Sequence, residues 1–241
     1  MFTVKRAIIM AAGFGSRMGA LTQDTPKPML KVHGERIIDN TIRKLIENGI
    51  EEIHVVVGYH KERFQEVKEV FPQIDLIENP YFETCNNISS LYVARDYLEE
   101  CMILEGDQYF FSAAPLAREF EHTEYNAFWV NEPSVEWIAE VDQKGRITVC
   151  HENGADRGWL FYGVSRWTSE DGRKLKRCLE YEFEINNTRN CYWDRVPVFL
   201  YPEQFEIFIR KGSPYDRVEL DNIRELAAVD DHYAAMLEVR T

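Results

Sequence analysis

The chain has 241 residues, 45% of them hydrophobic, and a formal net charge of −13. This length and composition suffice for one domain with a full core. The acidic balance argues against a broad basic face for nucleic acid or anionic lipid, so an anionic ligand must meet local positive charge or a metal. Because no window of about 18 apolar residues occurs and the N-terminus enters a strand at once, we expect a cytoplasmic protein without membrane insertion.

The first half of the chain alternates apolar strands with amphipathic helices. Strands are predicted at "RAIIMA", "EIHVVVGY", "IDLIEN" and "CMILEGD", and helices at 37–46, 60–71 and in "ISSLYVARDYLEE". This order predicts an α/β fold with a Rossmann-like, mostly parallel central sheet and helices on both of its faces. Ligands of such sheets bind at the carboxyl ends of the strands.

The second half changes to strands separated by turn signals, in "YNAFWV", "WIAEV", "RITVC" and "GWLFYGVSRW". Helices are predicted near 169–183 and 202–211, and "VELDNIRELAAVDDHYAAML" closes the chain. Since neither a linker nor an internal repeat is seen, we expect these antiparallel strands to extend the same sheet. The chain is therefore predicted to be one domain, residues 1–241, with halves 1–110 and 111–241.

The stretch "AIIMAAGFGSRMG" runs from a strand into a glycine-rich loop. Glycines let backbone N–H groups approach a ligand closely, and a helix after such a loop would add partial positive charge, so phosphate is the natural ligand. A tight turn without a ligand is the alternative. A dinucleotide fingerprint is excluded because Met18 stands in the third glycine position, and the Gly-Lys-Ser/Thr of a Walker loop is missing.

The stretch "TPKPML" places Lys27 between two prolines. Prolines hold the backbone extended and keep the lysine off a helix. Together with Arg17 it supplies two cations near one glycine loop. A solvated surface lysine is the alternative interpretation.

"AAGFGSRM" followed by "TPKPML" resembles the signature that opens sugar-phosphate nucleotidylyltransferases and their cytidylyltransferase relatives. Over nearly the full length, the chain is similar to bacterial CTP:phosphocholine cytidylyltransferases. The resemblance implies a nucleotidyltransferase (GT-A-like) fold and a Mg²⁺-dependent transfer of CMP from CTP to phosphocholine, which yields CDP-choline and pyrophosphate. The motifs that carry it are, in order, "VVVGYHKERF", "NNISSLY", "EGDQYF", "VEW", "GVSRW", "YWD" and "VELDNIREL".

Bringing two polyanions together is the main obstacle to such a transfer, so it needs positioning and charge neutralisation more than a proton-moving residue. The resemblance makes residues 1–110 the nucleotide-binding half and 111–241 the acceptor-binding half. It assigns the CTP phosphates to the loop at Ala12, Gly13, Gly15 and Ser16, the leaving β- and γ-phosphates to Arg17, and the α-phosphate and incoming phosphate to Lys27.

Two aspartates are candidate ligands of Mg²⁺, which prefers a few hard oxygen ligands plus water and phosphate. Asp107 ends the fourth predicted strand, and Asp221 lies where the resemblance supplies a second carboxylate. A capping or turn role is the alternative for Asp107, and an N-cap role for Asp221. Glu105 stands where relatives often carry an aspartate, which leaves its contact with the metal open.

Base recognition is assigned by resemblance to Asn87 and Ser90 of "NNISSLY", whose polar groups could pair with cytosine. The alternative is a helix cap in which Asn87 or Ser89 satisfies backbone N–H groups.

The acceptor headgroup is assigned to aromatic and acidic residues in "VEW" and "YWD", because a quaternary ammonium is held by ring faces and nearby carboxylates. Each aromatic could instead be core, and of Tyr192 and Trp193 at least one should be, since adjacent strand residues face opposite ways. The candidates are Glu136, Trp137, Tyr192 and Asp194.

Other functions stay open at this point. The acceptor could be 2-aminoethylphosphonate or phosphoethanolamine, whose primary ammonium would favour carboxylates, or a sugar 1-phosphate. The chain could also be a non-catalytic nucleotide-binding module. The joint presence of Arg17, Lys27, Asp107 and Asp221 argues against that module, since a mere binder could lose some of them.

Overall fold

The computed structural model of the chain describes residues 1–238. The strands that carry continuous apolar runs lie in the centre of its main sheet, and short strands of two or three residues pair in small separate ladders. The strands are β1 Phe2–Thr3, β2 Arg6–Ala11, β3 Lys31–Val32, β4 Glu35–Arg36, β5 Glu52–Val57, β6 Asp75–Glu78, β7 Cys101–Glu105, β8 Gln108–Phe110, β9 Glu119–Phe120, β10 Glu124–Val130, β11 Ile138–Val141, β12 Ile147–His151, β13 Gly158–Trp167, β14 Phe208–Lys211 and β15 Arg217–Glu219.

Most of the helices are short, and three of the six α-helices are flanked by 3₁₀ or π turns. The α-helices are α1 Ile37–Glu47, α2 Gln65–Val70, α3 Ile88–Val93, α4 Ser169–Glu180, α5 Ile223–Val229 and α6 Asp231–Glu238. The 3₁₀ turns are Ser16–Thr22, Lys27–Met29, Lys61–Phe64, Arg95–Tyr97, Ala114–Leu116 and Pro202–Gln204, and the π turns are Tyr181–Ile185 and Val196–Leu200. No helix among residues 1–238 is long and apolar enough to cross a bilayer.

The helix predicted at 202–211 is wrong. The chain makes one 3₁₀ turn there and then enters β14, which pairs in parallel with β10. Phe205, Ile207 and Ile209 are all buried. Burial of every second residue is the period of a strand, and pairing with β10 outweighs the local helical pattern.

The main sheet has the predicted mixed topology. Its strand order is β12-β11-β13-β7-β2-β5-β6, with β10 on the other side of β13 and β14 beside β10. Pairing is parallel from β7 through β2 and β5 to β6, and antiparallel between β7 and β13. The antiparallel strands of the second half therefore extend the parallel sheet of the first half, with β7 at the junction.

Helices cover both faces of this sheet, as predicted. Alternate residues of β2 enter different cores, because successive strand residues face opposite ways. Ala7 and Ile9 pack with α1 and α2 in one core, whereas Ile8 and Met10 pack with α3 and α4 in the other.

A third, smaller core lies at the edge where β2 and β7 end. It joins the segment after the glycine loop to β8 and to the chain around α5, so that three distant parts of the sequence share one apolar cluster. Its members include Met18, Leu30, Tyr109, Leu220 and Leu226, all of them buried. The polar residues that flank these positions are thereby held near one another.

Candidate active site

A cleft of about 360 Å³ opens at the carboxyl ends of β2 and β7, where the sheet topology predicts a ligand. The two strand ends approach closely: the amide of Gly106 donates to the Met10 carbonyl at 3.0 Å, and a Cβ at position 106 would lie 2.7 Å from that oxygen. The cleft brings together every residue predicted to contact phosphate, base or metal: Ala12, Gly13, Gly15, Ser16, Arg17, Lys27, Asn87, Ser90, Asp107 and Asp221.

Lys27 is the most constrained charge of this cleft. Its Nζ donates to Asp107 Oδ2 at 2.9 Å and to Asp221 Oδ1 at 2.6 Å, and the residue is only 8% exposed. Burial by itself would lower the pKa of Lys27, but the carboxylates of Asp107 and Asp221 outweigh it and raise the pKa above its ordinary value. The ammonium therefore stays charged, and it is not a solvated surface lysine.

Arg17 reaches the same carboxylate from the glycine loop. Its guanidinium Nη2 donates to Asp221 Oδ1 at 2.8 Å, while its side chain is 71% exposed. The two cations thus donate to the same oxygen of Asp221. The side chain of Lys27 is held by packing, whereas that of Arg17 is exposed to solvent and can move more freely.

Gly15 is required for the packing of Lys27. It adopts a left-handed φ of 63°, and a Cβ there would lie 2.8 Å from the Lys27 Cβ and 3.2 Å from Thr22 Cγ2. By contrast, a Cβ at Gly13 would meet no heavy atom within 4 Å. Gly15 thus allows the "TPKPML" segment to pack closely against the loop. Gly13 leaves space beside the loop backbone.

The expected α-helix after the glycine loop does not form. Residues Ser16–Thr22 make 3₁₀ turns that are interrupted at Gly19, whose φ is 60° and ψ −124°. The Thr22 hydroxyl donates to the carbonyls of Gly15 and Gly19 and closes this segment on itself. Positive charge at the loop therefore comes from Arg17 and Lys27 and not from an α-helix end.

The prolines around Lys27 also act differently from the prediction. Pro26 is extended, with φ −56° and ψ 142°, but Lys27–Met29 form a single 3₁₀ turn. Since the turn ends at Leu30, which joins the third core, the lysine is still held in place and directed to the cleft.

Three carboxylates form an oxygen-rich cluster, and two of them, Asp107 and Asp221, line the cleft. Oxygens of Asp107, Glu219 and Asp221 lie within 4.8 Å of one another. Asp107 Oδ1 is buried and has no hydrogen-bond partner among the described residues. Partial desolvation and the Asp107 carboxylate raise the pKa of Glu219 to about 7. The three carboxylates repel one another, and one of their oxygens lacks a hydrogen-bond donor. A divalent cation such as Mg²⁺, which prefers hard oxygen ligands, would satisfy both.

The N-cap role considered for Asp221 is not observed, whereas Asp107 does lie in the two-residue turn that joins β7 to β8. Asn222, not Asp221, caps α5, through a capping box with Glu225, and the carboxylate of Asp107 accepts from Lys27. Glu219 was missed at the sequence level. The sequence does contain a signal for Glu219, since "ELD" places an apolar residue between two acidic ones. Leu220 is fully buried, so both of its neighbours point away from the core.

Asn87 and Glu105 make a hydrogen-bonded group with Trp193. The backbone amide of Trp193 donates to Asn87 Oδ1 at 2.8 Å, and its indole Nε1 donates to Glu105 Oε1 at 3.3 Å. Asn87 does not cap α3 with its side chain. Burial, followed by the nearby Asp107 and Asp194, raises the pKa of Glu105 well above its ordinary value.

A second cleft, of about 710 Å³, adjoins the first. The two share the glycine loop, Asn87 and Ser90, and the second continues to Phe14 and Phe82. Ser90 is buried there, and its Oγ accepts from Asn79 Nδ2 at 3.1 Å. The shared wall offers amide and hydroxyl groups next to an aromatic surface.

The four residues predicted for the acceptor lie outside the lining of these two clefts, and two of them, Trp137 and Tyr192, are in contact. Trp137 packs edge-on against Tyr192, with ring centroids 6.3 Å apart. Tyr192 is 54% exposed whereas Trp193 is 3% exposed, so one of the two is core as predicted, although Trp193 and Asp194 lie in a turn and not in the strand that the prediction assumed. Burial raises the pKa of Asp194 to about 7, and its Oδ1 has no partner among residues 1–238. Glu136 is exposed beside Trp137.

Comparison with known proteins agrees with this architecture. Residues 7–174 match the family described as a MobA-like NTP transferase domain. The chain is 32% identical over 238 residues to a 2-aminoethylphosphonate cytidylyltransferase of Lancefieldella rimae, which covers 96% of this chain and 94% of that protein. It is 29% identical over 219 residues to a choline-phosphate cytidylyltransferase of Haemophilus influenzae, with coverage of 90% and 92%.

Among solved structures, the fold is similar to that of the CTP:phosphocholine cytidylyltransferase from Streptococcus pneumoniae, with a TM-score of 0.85 and 23% identity over 94% of this chain and 98% of that one. The predicted nucleotidyltransferase fold is confirmed. The chain therefore belongs to the MobA-like NTP transferase family, and within it to the cytidylyltransferases.

Proposed function

We propose that this enzyme transfers CMP from CTP to the phosphorus oxyanion of a small acceptor that carries a positively charged nitrogen. The observation that carries this proposal is the convergence of Arg17 and Lys27 with Asp107 and Asp221 in one cleft beside the glycine loop. Cations and carboxylates arranged in this way suit a triphosphate that is bound together with a divalent ion.

In the proposed reaction, an oxygen of the acceptor forms a bond to the α-phosphorus of CTP. The bond from that phosphorus to the β-phosphate oxygen breaks, and its electron pair leaves with pyrophosphate. Lys27 stabilises the α-phosphate and the incoming oxyanion, and Arg17 stabilises the leaving phosphates. The backbone amides of the loop hold the triphosphate, at Ala12, Gly13, Gly15 and Ser16.

Asp107 and Asp221 would hold Mg²⁺, with Glu219 as a third oxygen donor. Bound there, the ion would neutralise phosphate charge and reduce the repulsion between the two substrates. The unpartnered Oδ1 of Asp107 and the mutual proximity of the three carboxylates support this assignment.

The cytosine base is assigned to the wall that the two clefts share. Asn87 and Ser90 lie on this wall, and the Nδ2 of Asn87 supplies donor hydrogens. A polar site of this kind discriminates between bases because the wrong base leaves buried groups unpaired.

Phosphocholine is one candidate acceptor. The perpendicular rings of Trp137 and Tyr192 offer an aromatic surface for a quaternary ammonium, and Asp194 offers the opposite charge. Glu136 is a further, more exposed acidic group.

A second candidate, 2-aminoethylphosphonate, is favoured by a specific observation. Asp194 Oδ1 has no partner among the described residues, and a primary ammonium, unlike a quaternary one, donates hydrogen bonds. The relative from Lancefieldella rimae is named for this acceptor. Phosphoethanolamine presents the same primary ammonium.

The test is pyrophosphate release by the purified protein with Mg²⁺. Each of CTP, UTP, ATP and GTP is combined with phosphocholine, phosphoethanolamine, 2-aminoethylphosphonate or glucose 1-phosphate. We expect kcat/KM to be highest with CTP and one of the three amine-bearing acceptors, by about 100-fold over glucose 1-phosphate. If no acceptor led to pyrophosphate release, or if glucose 1-phosphate were the only acceptor that did, the proposal would be contradicted. The ranking of the amine-bearing acceptors decides between the two candidates.

A further inference from the structure

The segment Tyr192–Arg195, here called the acceptor loop, carries two of the residues proposed to bind the acceptor. Between them lies Trp193, which is 3% exposed. Its ring stacks on Tyr125, with centroids 6.1 Å apart, and meets Trp167 nearly edge-on at 6.0 Å. Trp193 therefore anchors the loop, and whatever orients its indole also orients the side chains on either side of it.

Two hydrogen bonds orient Trp193, and a third joins the two residues that accept them. The amide of Trp193 donates to Asn87 Oδ1 at 2.8 Å, and its Nε1 donates to Glu105 Oε1 at 3.3 Å. Asn87 Nδ2 donates to the same Glu105 oxygen at 3.5 Å. The three residues form a closed triangle that holds both the backbone and the side chain of Trp193.

The triangle connects the acceptor loop to the phosphate cleft. Glu105 is the last residue of β7, paired with Met10 of β2, and it precedes Asp107 by two positions. Asn87 lies on the wall of the same cleft. The end of β7 thus carries a proposed metal ligand and, through Glu105, holds the loop proposed to bind the acceptor.

Glu105 is not one of the three carboxylates whose oxygens cluster within 4.8 Å. Its Oε1 instead accepts from both Trp193 and Asn87. An aspartate at this position would be shorter by one C–C bond, roughly 1.5 Å, and would not reach the indole from the same backbone. The extra methylene of glutamate is what closes the triangle.

We propose that Glu105 is a positioning residue that, together with Asn87, fixes the acceptor loop relative to the α-phosphate. The proposal rests on the proposed function, which places the acceptor at this loop. Correct placement of two reactants contributes much of the rate of such a transfer, and an error of about 1 Å can cost as much as 100-fold.

Two variants separate positioning from a charge or metal role. Glu105→Gln keeps the side-chain length and an acceptor oxygen but removes the charge, whereas Glu105→Asp keeps the charge but shortens the side chain. We expect Glu105→Gln to leave the acceptor KM within about twofold, and Glu105→Asp to raise it about tenfold with a smaller rise in the CTP KM, since Asn87 loses one hydrogen bond. The opposite ranking would show a role of the charge and overturn the proposal.

Trp193→Phe provides an independent check, because it removes the Nε1 donor. It should raise the acceptor KM in the same way, and the double variant Glu105→Asp, Trp193→Phe should be no worse than the poorer single variant, since both remove one interaction. If the two substitutions raised the acceptor KM additively, Glu105 and Trp193 would act independently, which would contradict the proposal. Thermal unfolding of each variant shows whether a loss reflects misfolding.

Amide hydrogen exchange tests the link without any turnover. In Glu105→Asp, residues 190–198 should exchange faster than in the wild type, while in Glu105→Gln they should not. If the wild type released no pyrophosphate with any acceptor, the proposed function would fail and the exchange result would still decide the link. Equal exchange in both variants would overturn it.

Discussion

At the scale of single residues, Lys27 and Arg17 carry the same charge in different settings. Lys27 is packed against Gly15 and held by two carboxylates, so its position is fixed before any substrate binds. Arg17 is largely exposed and makes one ion pair with Asp221. A fixed ammonium suits the reacting phosphorus, and a longer, freer guanidinium suits the phosphates that depart.

Lys27→Ala should therefore lower kcat by about 100-fold or more, because a preorganised cation at developing charge supplies several kcal/mol of transition-state stabilisation. Steady-state pyrophosphate release at saturating CTP measures it. Lys31→Ala is the matched control, since that lysine is exposed four residues later. If Lys27→Ala retained more than about a tenth of kcat, its catalytic assignment would be wrong.

At the scale of elements, the glycine loop and the "TPKPML" segment form one packed unit. Gly15 allows the contact between them, Thr22 closes the 3₁₀ turns, and Tyr59 donates from its hydroxyl to the carbonyls of Thr22 and Gln23. The loop is thus supported by packing and by hydrogen bonds that the hydroxyls of Thr22 and Tyr59 donate to backbone carbonyls. Its shape does not depend on an α-helix that follows it.

Gly15→Ala should destabilise the protein by about 2 to 4 kcal/mol, because a left-handed backbone and a steric clash with Lys27 add together. Gly34→Ala is the matched control: its φ of 83° is also positive, but a Cβ there meets nothing within 4 Å. Urea unfolding measures both, and the control should lose only about 1 to 2 kcal/mol. Equal losses would show that contact with Lys27 is unimportant.

At the scale of the whole molecule, acidic residues outnumber basic ones by 41 to 28. Some buried carboxylic acids therefore have no basic residue beside them. Asp194 faces Tyr125, Cys150 and Glu105, none of which can supply positive charge. The sheet places this acid where β10 and β13 of the second half pack against the α3 and α4 side of the core. Ionising Asp194 therefore costs folding free energy.

The stability of the protein should depend on pH through this group. Burial raises the pKa of Asp194 from 3.8 to about 7, so the folded state binds its proton more tightly than the unfolded chain does. The stabilisation is complete below about pH 4 and is lost as pH rises through about 7.

Asp194→Asn removes the titration. The free energy of unfolding of this variant, relative to the wild type, should rise by roughly 2 kcal/mol or more between pH 4.5 and pH 8. Urea unfolding across that range measures it. A difference that stays constant with pH would contradict the assignment.

The sequence by itself determined the elements whose cause is local. Continuous apolar strands alternating with helical stripes predicted the parallel half of the sheet, and the glycines, Arg17 and Lys27 were correctly expected to lie together at its edge. These features depend on side-chain periodicity and backbone stereochemistry over a few residues, which a sequence displays directly.

Only the tertiary structure decided what depends on contacts between distant positions. The pairing of β14 with β10 overrode a helical pattern, and the third core brought Glu219 beside Asp107. Glu105 meets Trp193 across 88 positions of the chain. The free energy of such contacts comes from packing and hydrogen bonding between elements, and no local period of residues records it.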